Sequence, residues 1–367
     1  RAQVSQLLSA VAKPCGEAVF VEEEPEAAEA MLEFFQLVVR LERVHGLRLL
    51  AEEHPGLVDG IVQQLRQQLF SYRVHMEETD AADGDDDGDD GESDPIWWNL
   101  LVTINATIHE LLRLCGASLF PAIEEHLLPF AQHWLAEASD TSASAASLTL
   151  FSHLVEFGAA QHAPQMLAAI RTALSGDGDE GDDEDCEIKE AAVYALGVLM
   201  QHGGQSISDA VVSATAEKLT AMLNAPRPKA SRRLAVSEQA ASALGKLLVH
   251  RPSALVTAPL VPLWLAWLPL TKDDKEGRAS ISALGAQLSC DSGLSMVLGE
   301  AGANLPRVLT VLAAASEDDD EEVNERIRSV AQGWRARAGM VEACRAAASA
   351  LPLAARGRLE ALEMLQR

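Results

Sequence analysis

Two kinds of apolar pattern alternate along the chain. In the first, apolar residues recur at i, i+3, i+4 and i+7, the spacing of a helix with one buried face. This pattern covers residues 119–137 (LFPAIEEHLLPFAQHWLAE), 164–174, 208–223, 256–268 and 304–315. In the second, small residues interrupt an apolar run at a fixed place. EIKEAAVYALGVLMQHG from Glu187, SEQAASALGKLLVHRP from Ser237 and KEGRASISALGAQL from Lys275 all carry Ala-Leu-Gly there. WWNLLVTINATIHELLRLCG from Trp97 and SAASLTLFSHLVEFG from Ser144 match them in outline. Small side chains at that point predict that one helix presses closely on another. Gly116, Gly158 and Gly203 read as helix ends, 42 and 45 residues apart.

A period of about 40–47 residues built from two helices is that of HEAT or armadillo arrays. Each unit then reads as helix A, a turn, helix B and a short connector. Residues 337–350 and 352–366 predict two closing helices, and 31–50 and 55–73 predict helices in a less regular start. The expected fold is all-α: a right-handed, superhelical α-solenoid of antiparallel A/B pairs. Its expected divisions are irregular N-terminal helices over 1–76, an acidic disordered loop over 77–94, repeats over 95–336 and capping helices over 337–367. Within the repeats, residues 176–187 and 316–322 are expected as acidic A–B loops.

Charge sharpens this picture. Asp plus Glu number 55 against 29 Lys plus Arg, a formal charge of −26. Segments 77–94, 177–187 and 317–322 hold 11, 8 and 6 of the acids, so the remainder is nearly neutral. All three fall between helix A and helix B. The equivalent turns elsewhere are SDTSAS, APRPKASRR and TKDDKEG. Loops at one point of a repeat emerge along one edge of a solenoid. That edge is expected to carry acid, neutral, acid, basic, mixed and acid loops in succession. Asp85, Asp86, Asp87, Asp182, Asp183, Glu184, Asp319 and Asp320 are therefore the candidate contacts for a basic protein. RPKASRR from Arg227 reads as a polar turn.

Composition removes other functions. Scarce aromatics (4%) and abundant Ala and Leu favour helices over strands. Cys15, Cys115, Cys186, Cys290 and Cys344 form no CxxC, which fits a reducing compartment. The ten histidines show no metal-ligand spacing. GDGDEG from Gly176 has the GxGxxG spacing but follows no strand, and its acids would repel a phosphate. Asp83, Asp85, Asp87 and Gly88 fit half a calcium loop, but Asp90 and Asp94 stand where an apolar residue and a glutamate belong. No paired nucleophile and base is visible, so no enzyme, cofactor or metal is expected. Residues 252–271 lack charge and could span a bilayer by length, yet they hold four prolines and keep register with the repeat. Trp264 and Trp267, at i and i+3, read as core, with Pro259 and Pro262 in the first turn of their helix. Neither membrane insertion nor nucleic-acid binding is expected. The start at Arg1 reads as that of a fragment.

Four segments in unbroken order resemble one family. AAVYALGVLMQHGGQ (191–205), EQAASALGKLLVHRP (238–252), VPLWLAWLPLTKDDKE (261–276) and NLPRVLTVLA (304–313) look like the C-terminal part of the karyopherin-beta nuclear import receptors, importin-beta-three branch. The tail EACRAAASALPLAARGRLEALEML is similar to that family's end. Gly197, Gly245, Trp264, Trp267 and Pro269 carry the resemblance as structural positions. It implies basic cargo, such as ribosomal proteins and histones, on the helix-B surface. It also implies phenylalanine-glycine nucleoporins as partners, shuttling between cytoplasm and nucleus, and Ran contacts mainly in repeats absent from this chain. The turn at 177–187 is more acidic than the family pattern, and the helix from Ser144 lacks its Asp- and Trp-containing start. A HEAT scaffold of a cytosolic complex, or an acidic chaperone for basic proteins, is the competing reading.

Overall fold

The computed structural model describes residues 25–44, 55–82, 95–137, 140–175, 184–316 and 320–365. Every regular element among them is a helix. The chain divides into two compact units, residues 1–195 and 196–367.

In the first unit, α1 (Pro25–Val44), α2 (Pro55–Ala82) and α3 (Pro95–Cys115) each open on proline. The first turn suits proline, which has no N–H, because N–H groups there have no intrahelical partner. Then follow α4 (Phe120–His126), α5 (Leu128–Glu137), α6 (Thr141–Glu156) and α7 (Ala163–Ala173). Helix α1 packs on α3 and α3 on α6, forming the B row; α2 meets α4 on the A side. Gln36 of α1 is buried and donates to Thr103 O and Thr107 Oγ1 of α3. Tyr72 of α2 stands edge-on to Trp97 and Trp134, and its hydroxyl donates to Asp140. The Asp140 carboxylate also accepts from Ala143 N, capping α6.

Helix α6 is buried along nearly its whole length. Its sequence TSASAASLTLFSHLVE meets that demand with small residues and with hydroxyls that bond inside the helix. Ser147 donates to Ala143 O at 2.7 Å and Ser152 to Leu148 O at 2.8 Å. Such i−4 bonds satisfy a buried hydroxyl without a partner on another helix.

Several sequence expectations shift. Residues 119–137 form two helices interrupted at Leu127, because Pro129 cannot donate to the carbonyl four residues before it. Helix α2 runs nine residues past Arg73 into the acidic segment, so 77–82 is helix rather than loop. Within these turns Arg73 pairs with Glu77 at 3.4 Å and Thr79 Oγ1 donates to His75 O.

Helix α8 (Glu184–His202) contains the boundary between the units. The second unit continues with α9 (Asp209–Asn224), α10 (Ser231–His250), α11 (Thr257–Trp267) and α12 (Asp274–Ser289). Next come α13 (Asp291–Leu298), α14 (Leu305–Ala315), α15 (Glu321–Arg335), α16 (Met340–Ala348) and α17 (Leu353–Ala361). Helices α10, α12 and α15 pack successively as the B row, with α9, α11 and α14 behind them. Helix α11 has eleven residues, too few to span about 30 Å of hydrocarbon, so the charge-free stretch 252–271 is not a span. Pro262 lies inside α11 rather than in its first turn. Residues 95–126 are apolar and long enough to cross a membrane, and two-thirds of an 18-residue apolar stretch within them is buried in the fold. The left-handed residue after α8 is Gly204, not Gly203. Gly203 is a packing position, where a Cβ would fall 2.5 Å from Leu199 O.

Candidate functional site

The glycine of each Ala-Leu-Gly lies in the second unit, against a neighbouring helix of that unit. A Cβ on Gly197 would lie 3.2 Å from Ala243 Cα of α10. One on Gly245 would lie 2.6 Å from Trp264 Nε1 of α11, and one on Gly285 2.7 Å from Arg326 Cγ of α15. Trp264 is wholly buried and Trp267 nearly so, with Trp267 Nε1 donating to Leu223 O at 3.3 Å. Pro269 follows Leu268 through a cis peptide in the turn beyond α11. Gly197, Gly245, Trp264 and Trp267 are therefore packing positions, and Pro269 is a turn position.

The turns between A and B helices are tied to the B row by buried polar groups. Glu238 of α10 is 2% exposed, yet it accepts from Thr271 N at 2.6 Å, Thr271 Oγ1 at 2.9 Å and Lys272 N at 2.8 Å. Arg227 approaches the same carboxylate at 3.6 Å and lies over the Trp267 ring at 4.8 Å. The basic turn thus spends one of its cations on the fold. Glu276 of α12 accepts from Ser242 and pairs with Lys246 at 2.8 Å, joining α10 to α12. A carboxylate buried without such partners would be costly.

Between the B helices α12 and α15 lies an open groove of about 570 Å³. Lys275, Arg278 and Ser282 line one wall, and Glu322, Glu325 and Arg326 the other. At its margin Arg278 pairs with Asp320 at 3.3 Å. Asp320 caps α15 by accepting from Glu322 N and Val323 N at 3.0 and 3.1 Å. The Val323 N–H, with Arg278 beside it, holds its carboxyl below the usual aspartate value. Among the candidate acids, Asp320 is therefore a helix cap; Glu321 and Glu322, expected in the loop 316–322, belong instead to the first turn of α15, where acids suit the helix dipole. Glu184 opens α8. Asp85, Asp86, Asp87, Asp182, Asp183 and Asp319 lie outside the described residues. A groove edged by charges of both signs can receive an extended polar segment, pairing its side chains with either wall.

In the first unit the fold assembles a cluster that sequence spacing does not reveal. His109 of α3 and His153 of α6, 44 positions apart, bring their rings to 4.9 Å. Glu156 Oε2 lies 3.7 Å from His109 Nε2 and 4.0 Å from His153 Nδ1. The only local signal is the i, i+3 pair His153 and Glu156.

No family model matches the chain. Solved structures of the karyopherin Kap121p do. The complex with the SUMO protease Ulp1p superposes with a TM-score of 0.72 at 16% identity, over 97% of this chain and 31% of that one. The complex with Nup53p gives 0.71 at 16% identity, and that with RanGTP 0.71 at 15%, each over 97% of this chain and 30% of the other. The chain spans about 30% of the length of these structures. Its fold, over nearly all its length, is that of a karyopherin HEAT-repeat array.

Proposed function

We propose that the chain is a segment of a karyopherin-beta nuclear import receptor that holds basic protein cargo on its B-helix face. The observation that carries this reading is the shared fold with Kap121p along 97% of the chain. Kap121p has been solved with Pho4p, Nup53p, Ste12p, Ulp1p and RanGTP, so protein cargo, a nucleoporin and a GTPase are the kinds of partner the fold supports.

Cargo binds on the B helices of the second unit, with the groove between α12 and α15 taking a segment of extended chain. The acids of segments 77–94, 177–187 and 317–322, Asp85–Asp87, Asp182–Glu184 and Asp319 among them, draw basic cargo such as ribosomal proteins and histones toward that face. Phenylalanine-glycine nucleoporins bind on the A side, and the receptor shuttles between cytoplasm and nucleus. Ran in its GTP form binds this segment weakly, its main contacts lying in other repeats. The same acids give the chain a chaperone's capacity to shield basic proteins.

The test is binding of the purified chain to a histone-tail peptide and to immobilised phenylalanine-glycine repeats, with and without Ran-GTP. Binding to both supports a receptor segment. Binding to the peptide without the nucleoporin repeats supports an acidic chaperone, and binding to neither supports a scaffold.

A further inference from the structure

We propose that His109, His153 and Glu156 form a zinc site that clips α3 to α6. Two imidazole nitrogens and one carboxylate oxygen make a borderline donor set suited to Zn²⁺. Their ligand atoms all lie within 4.8 Å of one another. Ligands around a tetrahedral zinc, at bonds of about 2.0–2.1 Å, sit about 3.4 Å apart. The carboxylate oxygen stands 3.7 and 4.0 Å from the two rings. Both separations exceed a hydrogen bond and sit close to the spacing of atoms sharing one ion. Small side-chain rotations close the set.

The surroundings favour a cation. Both imidazoles are buried, while Glu156 is about a third exposed, so an ion can reach the cluster from solvent past Glu156. Phe157 stands edge-on to the His109 ring at 5.5 Å, fixing its plane. The neighbouring carboxylate, Glu110, is engaged by Arg40 at 3.2 Å and Arg43 at 3.7 Å, and so does not compete for the ion. One ligand comes from α3 and two from successive turns of α6. Binding therefore ties adjacent B helices of the first unit together.

The experiment titrates the full chain with Co²⁺ and then Zn²⁺, in excess Mg²⁺ that occupies the acidic segments. Expected are one saturable equivalent, a tetrahedral cobalt absorption band without a thiolate band, and a melting temperature raised by zinc. Losing one ligand outright should exceed the 10–100-fold penalty of losing an outer-shell partner. His109→Gln and Glu156→Gln are therefore each expected to weaken binding by about 100-fold or more. Cys290→Ser, at an exposed thiol, should leave it unchanged. No saturable binding by the unaltered chain, a thiolate band, or equal affinity in Glu156→Gln would overturn the proposal. Glu156 is partly exposed, so its variant carries the test even if His109→Gln fails to fold.

Discussion

A glycine in the middle of a helix costs about 1 kcal/mol against alanine, so its presence needs a packing reason. Gly197, Gly245 and Gly285 have reasons of different strength. At Gly245 the added methyl meets the Trp264 indole, which is fully buried and cannot yield. At Gly197 it meets the α10 backbone at 3.2 Å, a contact relieved by a small shift. At Gly285 it meets Arg326, whose exposed side chain can swing away. Overpacking costs about 1–3 kcal/mol. Gly245→Ala is therefore expected to be clearly destabilising, Gly197→Ala close to neutral, and Gly285→Ala neutral or stabilising by up to about 1 kcal/mol. Thermal denaturation of the three variants checks this order, and equal losses would refute it. Asp320 gives a pH-dependent counterpart. Its folded pKa lies below the ordinary value of 3.8, so its contribution is complete above that pH and disappears as pH falls through the folded value. Asp320→Asn should lower the melting temperature at neutral pH, with the gap to the unaltered chain shrinking below about pH 3.8. A gap independent of pH would show that its charge is irrelevant.

At the scale of elements, helix ends need partners as much as helix faces do. The last carbonyls of α11 are taken by one guanidinium: Arg307 of α14 donates to Leu265 O at 2.8 Å, Ala266 O at 3.0 Å and Leu268 O at 2.8 Å. A planar fork meets three carbonyls that a lysine ammonium would serve poorly. Arg307→Ala is expected to cost about 2 kcal/mol, and Arg307→Lys to recover less than half, read by urea denaturation. The partnership links residues 42 positions apart, the repeat length inferred from the glycines. That period, the alternation of A and B helices and the buried role of Trp264 were legible because 3.6-residue periodicity reports burial directly. What was not legible follows from physics that periodicity omits. The α2 extension runs through polar residues such as Arg73 and Glu77, a partly exposed pair without an apolar signal. The break at Leu127 comes from one missing N–H. The partner of Asp320 is Arg278, 42 residues earlier, and the His109–His153–Glu156 cluster forms only when α3 and α6 pack.

For the whole molecule the deciding quantity is where the charge lies, not its sum. Twenty-five of the acids sit in segments 77–94, 177–187 and 317–322, and the rest of the chain is close to neutral. On the proposed function, such a distribution acts on a basic partner mainly at encounter, over the screening length of about 10 Å at 0.1 M salt. The packed B helices, with carboxylates such as Glu238 and Glu276 already paired internally, contribute little long-range field. On the proposed function, attraction and recognition therefore belong to different parts of the chain. Replacing acids of the three segments with serine, while keeping Asp320 as the α15 cap, should slow association with a lysine-rich peptide and flatten its salt dependence. Dissociation should change little, since rim charges act mostly on the association rate. Charge reversal at Glu325 in the α12–α15 groove should do the opposite, raising the dissociation rate with a nearly normal salt slope. Stopped-flow fluorescence over a salt series separates the two. If both variants change association alone, the groove holds no cargo; if the serine variant leaves the salt slope intact, the acidic segments play no part in capture.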